Sequence, residues 1–207
     1  MIATDADLYG LVDTASTYSS SDKIYVVSDI EINTGKATNW GTSAPSLTWT
    51  PISNFKGTFD GEGHTISGLY AKTSATLGMF TATATTTVIQ DLKLKNSYFE
   101  TAGTGAGLAA ISGNGHGTFK NIYADATLVG TATGNNDGNV GGILGLVKSA
   151  TGTVTIENCW SNCNIQAAGR RVGGILGCGN SHAATVSVQH CLNTGTITNT
   201  TTGYRFF

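Results

Sequence analysis

Val140-Gly-Gly-Ile-Leu-Gly145 returns as Val172-Gly-Gly-Ile-Leu-Gly177, and Val154-Thr-Ile-Glu-Asn-Cys159 returns as Val186-Ser-Val-Gln-His-Cys191. Both pairs stand 32 residues apart, and two separate segments sharing one offset mark a structural repeat. Weaker copies extend upstream: Leu108-Ala-Ala-Ile-Ser-Gly113 matches Val140 to Gly145, and Leu77-Gly-Met-Phe80 matches Leu108 to Ile111. The second motif reads apolar, any residue, small or polar, apolar in Ile66-Ser-Gly-Leu69, Ile89-Gln-Asp-Leu92, Phe119-Lys-Asn-Ile122, Ile156-Glu-Asn-Cys159 and Val188-Gln-His-Cys191. The offsets between these copies are 23, 30, 37 and 32.

These segments are short, β-branched and broken by Gly, Asn and Thr, which is strand rather than helix chemistry. A strand that cannot bury its apolar side alone must stack on its neighbours. Single coils of parallel strands stacked in this way make a β-helix with about 4.8 Å between rungs. Unequal offsets then mean loops of unequal length at the turns, such as Thr101–Thr104 and Gly130–Asp137. The alignment predicts an inner column of Ile66, Ile89, Phe119, Ile156 and Val188, and a second of Leu69, Leu92, Ile122, Cys159 and Cys191. It also predicts a polar corner column of Gly68, Asp91, Asn121, Asn158 and His190, with amides bonded along the stack. An outer column reads Thr65, Val88, Thr118, Thr155 and Ser187. The Gly pairs of the Val-Gly-Gly-Ile units mark close backbone approach or positive φ.

Of the 207 residues only 12% are charged and 40% are hydrophobic, a balance opposite to that of disordered chains. Net charge is −2 and the basic residues are scattered, so nucleic acid is not an expected partner. No apolar run reaches the ~18 residues of a membrane span. The N-terminal third differs in pattern. Leu8, Leu11, Val12 and Ala15 fall at helical spacing, and Thr4 with Asp7 fits a capping box. A helix here covers the open end of the first coil. Lys23 to Ile32 reads as one strand, and Asn33 to Trp49 as a loop holding Trp40 and Trp49. The expected division is a cap over residues 1–50 and repeats over 51–207. Met1 to Asp7 lacks the basic and apolar regions of a signal peptide. That is the start of a cytoplasmic protein, or of a mature domain with an added Met. The final Tyr204-Arg-Phe-Phe207 suits either a longer parent chain or an aromatic closure.

Trp49-Thr-Pro-Ile52, followed by Phe55-Lys-Gly-Thr-Phe-Asp-Gly-Glu-Gly-His-Thr-Ile-Ser-Gly-Leu69, is similar to the opening module of bacterial surface proteins with GLUG-type repeats. The Val-Gly-Gly-Ile-Leu-Gly and Glu-Asn-Cys-Trp-Ser units resemble the repeats themselves. The resemblance implies an all-β, single-stranded, right-handed parallel β-helix (a pectin-lyase-like solenoid) with an N-terminal capping helix. It further implies a secreted or cell-surface, adhesin-like protein without assigned chemistry.

Candidate functional residues are few. Asp60, Glu62 and His64 alternate, share one face if extended, and are the nearest thing to a pair of catalytic carboxylates. Asp60-Gly61 is also turn chemistry, the stronger reading. Trp160, next to inward Cys159, faces outward and aligns with Tyr123 one repeat earlier, with Lys93 and Leu192 at the same position in other coils. Such an aromatic pair can stack on a sugar ring. Arg170 and Arg171 stand before Val172 at a turn and could clamp an anionic sugar. Asp125 and Asp137 read as loop residues. Cys159, Cys163, Cys178 and Cys191 do not match a zinc spacing, and Cys159 and Cys191 are expected as buried, reduced thiols. A Cys paired with His190 or His182 is opposed by that burial. No metal and no cofactor are expected. The leading reading is a non-catalytic structural or adhesive module that contacts a polysaccharide, a host or cell-surface glycan, or another protein. The alternative is a carbohydrate-active β-helix, as a binding unit, lyase or glycosidase.

Overall fold

The computed structural model describes residues 1–133, 138–147, 151–179 and 184–200. Asp137, His182 and the Tyr204–Phe207 segment lie outside them. Among the described residues the strands form four sheets, and every pairing is parallel. The chain is a β-solenoid with one N-terminal α-helix, α1 (Asp5–Thr14).

One six-stranded sheet stacks Lys23–Tyr25, Thr58–Asp60, Val88–Gln90, Gly117–Lys120, Thr153–Glu157 and Thr185–Gln189. Its inner column runs Ile24, Phe59, Ile89, Phe119, Ile156, Val188. Ile66 is not in it. Ile66 belongs to the next sheet, between Ile30 and Leu94, and that column continues through Ala124 to Ser161. The outer column likewise reaches Val88 through Lys23 and Thr58, not Thr65. Leu69 sits beside Ser97 at a second corner, while Leu92, Ile122, Cys159 and Cys191 occupy the first. The mismatch has a physical origin. The second corner also turns through a left-handed residue in its first rungs, Gly68 and Asn96, so Ile66 to Leu69 imitates the first corner's pattern.

The first corner shows why Asp and Asn recur. Asp91, Asn121, Asn158 and His190 all have φ between 51° and 53°. Residues of this kind tolerate the left-handed region better than most. Gly68, at φ 78°, pairs instead with the second corner, where Asn96 has φ 44°. The side chains bond up the stack: Asn121 Nδ2 donates to Asp91 Oδ1 (2.7 Å), and Asn158 Nδ2 to Asn121 Oδ1 (3.3 Å). The Gly pairs stack as expected, Val140-Gly141 on Val172-Gly173. A Cβ on Gly142 would lie 2.1 Å from Ser161 Oγ and 2.2 Å from the Gly174 carbonyl, so close approach is the reason for glycine there.

Helix α1 is capped as its sequence predicts. The Asp7 N–H donates to Thr4 Oγ1 (3.2 Å), and the Thr4 N–H donates to the Asp7 carboxylate (3.0 Å). Leu8 and Leu11 join the main core. Lys23 to Ile32 is not one strand. It splits into Lys23–Tyr25 and Ile30–Glu31, which lie in different sheets, because the coil turns between them. Trp49 is buried in the main core, and Trp40 in a small cluster with Tyr70 and Tyr98.

Candidate functional site

Two outward columns meet along the first corner. The strand after that corner carries Thr65, Lys93, Tyr123, Trp160 and Leu192 in register, one per rung. The corner itself carries Asp91, Asn121 and Asn158. Between the columns runs a groove of about 610 Å³, lined by Asp60, Glu62, Asp91, Lys93, Tyr123 and Trp160, with Asn121 and Asn158 along the corner. A second hollow of about 350 Å³, between Lys93, Lys95, Tyr123 and Trp160, opens beside the same aromatic pair.

The aromatic pair is held, not loose. Tyr123 and Trp160 meet edge to face with centroids 5.1 Å apart, an arrangement favoured by the ring quadrupoles. Trp160 Nε1 donates to Thr194 Oγ1 (2.7 Å), which donates in turn to Asn162 Oδ1 (3.1 Å). The indole is thereby tied to the rung above, yet Trp160 remains 46% exposed. Lys95 Nζ lies 5.7 Å from the Tyr123 ring centroid. Burial, and then the Asp125 charge, raise the Tyr123 hydroxyl above its ordinary pKa. Burial also raises Asp125, with Lys95 opposing. Asp125 is not a loop residue: it lies in the strand Tyr123–Gly130, where the register shifts between Ala124 and Ala126.

Asp60 and Glu62 line this groove, but not as one strand face. The strand ends at Asp60, and Glu62 (φ 49°) and Gly63 (φ 78°) turn the chain. Asp60 Oδ1 accepts the Glu62 N–H (2.9 Å) and holds the turn, and Oδ2 accepts Gln90 Nε2 (2.6 Å) of the next rung, so both oxygens are engaged. His64 turns to Asp29, with Nδ1 3.2 Å from Oδ1. The Thr65 N–H, then His64, keep the Asp29 carboxyl below its usual range. Arg170 is exposed and Arg171 half-buried; neither lines the groove, and Arg171 lies beside the Cys178 thiol. The four cysteines are free thiols, and burial pushes Cys159 and Cys163 up to about 12. Among the described residues no cluster of three or more His, Cys, Asp or Glu can hold a metal ion. The arrangement can stack an apolar ring face and hydrogen-bond hydroxyls around it. The alignment had brought Lys93, Tyr123 and Trp160 into one column and Asp91, Asn121 and Asn158 into another. It had not joined the columns, although in each rung they stand two residues apart. Lys95 carried no signal, because its neighbours up the stack are not lysines.

No family model matches the chain, so the GLUG-type resemblance stands on the quoted residues alone. Among the described residues no helix is long and apolar enough to cross a membrane. A crystal structure of a candidate immunoglobulin A1 protease from Bacteroides ovatus is similar at TM-score 0.50 and 18% identity. It covers 94% of this chain and 67% of that one, a likeness of fold. Over 152 residues, 69% of its length, the chain is 32% identical to halomucin of Haloquadratum walsbyi, and it spans about 2% of that protein.

Proposed function

We propose that this chain is a non-catalytic structural and adhesive β-helix module, of the GLUG-repeat kind, from a secreted or cell-surface protein, and that it contacts glycans through the groove beside Tyr123 and Trp160. The observation that carries this reading is the fixed but exposed indole, set edge to face with Tyr123 and bordered by a hydrogen-bonding corner. Sugars present this combination in reverse, with apolar ring faces and a hydroxyl rim. The likeness to halomucin supports a place outside the cell. A carbohydrate-active reading draws on Asp60 and Glu62 in the same groove, although Asp60 already has two hydrogen-bond partners. Screening the purified chain on a polysaccharide array, with a product-release assay on each hit, decides between them. Binding without turnover, weakened in Trp160→Ala, is the expected result. Released product would replace the proposal with the catalytic one, and an array without hits would end both.

A further inference from the structure

The groove repeats itself along the solenoid. Three successive rungs each contribute one corner residue and one outward residue two positions on: Asp91 with Lys93, Asn121 with Tyr123, Asn158 with Trp160. Glu62 extends the same line into the preceding rung. From this periodicity we infer that the groove takes an extended, uncharged polysaccharide chain laid parallel to the solenoid axis, one sugar unit per rung. The inference rests on the glycan-binding reading and adds orientation, length and charge class to it.

The repeat distance selects the class of polymer. Rungs of a parallel stack are spaced by about 4.8 Å. An extended chain of pyranoses linked through opposite ring positions advances by nearly that distance per unit, so each ring meets an equivalent pair of protein side chains. An extended peptide does not fit the same track, because its side chains recur on one face every ~6.6 Å.

Charge narrows the class further. The line reads acid, acid, lysine, amide, tyrosine, amide, tryptophan, with Glu62 and Asp91 at one end. A polyanion would set its charges against these two carboxylates. A polycation would meet Lys93, with Lys95 beside it. The ladder leaves hydrogen-bonding capacity for neutral hydroxyls. Asp91 uses Oδ1, and Asn158 uses one N–H, so Asp91 Oδ2 and the Asn158 carbonyl have no ladder role.

The test is calorimetric titration of the full chain with linear β-1,4-linked gluco-, manno- and xylo-oligosaccharides, from disaccharide to hexasaccharide. One series is expected to gain affinity several-fold per added unit up to the tetrasaccharide, then level off. Trp160→Ala is expected to remove one step, so that the plateau comes a unit sooner. The exposure of Trp160 makes this variant safe for the fold, which a melting curve checks. Affinity that is flat beyond the disaccharide, or a plateau unmoved by Trp160→Ala, overturns the axial track while leaving glycan binding standing. Tighter binding of oligogalacturonates or chitosan oligomers overturns the uncharged class. Failure of every oligosaccharide and every arrayed polysaccharide overturns the glycan reading along with this one.

Discussion

The two ends of the solenoid use the same columns under different conditions. At the N-terminal end helix α1 lies against the first rung, Leu8 and Leu11 join the core, and Ile24 is only 7% exposed. At the other end Thr185–Gln189 is the last strand of its sheet among the described residues, and Val188, in the same column as Ile24, is 45% exposed. The residue types are alike and the register is alike. What differs, among the described residues, is whether something lies on both sides. In a stacked fold a side chain's burial is a property of its neighbouring rungs, so stability is a sum over interfaces and not over residues.

The sharpest way to test that statement is within one column. Phe119→Ala opens a cavity between Ile89 and Ile156 and is expected to cost about 3–5 kcal/mol, measured by urea unfolding. Next in size is the cap. Leu8→Ala removes a fully buried side chain where the helix meets the first rung, and about 2–4 kcal/mol is expected. Hydrogen exchange should show the loss concentrated at Lys23–Tyr25, with the middle rungs slower to respond. Equal protection loss along the whole sheet would mean that the ends are not separate in energy, and the comparison would collapse.

How much of this was legible beforehand follows from where the repeats are regular. Between Phe119 and Val188 each rung has the same corner length, and every column expected there is the observed one. Upstream, the corner holding Gly61, Glu62 and Gly63 is longer, and the Ile66 motif repeats the chemistry of another corner. Residue type cannot tell two left-handed corners of one coil apart; only hydrogen-bond register does. The capping box was readable because its donors and acceptors lie within four residues. The groove was not, because it joins side chains about thirty residues apart through stacking, and Lys95 lines the hollow beside it without any repeated partner.

A smaller effect belongs to the helix start. Thr4→Ala removes the acceptor of the Asp7 N–H and is expected to cost ~1 kcal/mol. The same cap gives a pH dependence. The Ala3 N–H first, then the Thr4 hydroxyl, hold Asp7 below its ordinary 3.8. A carboxyl depressed in the folded state adds stability that is fully present above the unfolded pKa and is lost as pH falls through the folded one. Stability measured from pH 5 down to pH 2 should therefore fall less steeply in Asp7→Asn than in the parent chain. Parallel slopes would show that the capping carboxylate makes no difference.

The smallest effect is expected at the exposed end, and it is the most informative. Burying a valine completely is worth about 1.5 kcal/mol or more, and Val188 is nearly half exposed, with a rung on one side among the described residues. Val188→Ala should then cost less than ~1 kcal/mol, although it changes the same column as Phe119. If the measured cost instead approached that of a core truncation, Val188 would have to be covered in solution. Repeating the measurement over a range of protein concentrations would then separate two causes. A cost that grows with concentration means a second copy covers the rung, since association stabilises by mass action. A cost independent of concentration means the chain covers its own end, and the two ends are then alike after all.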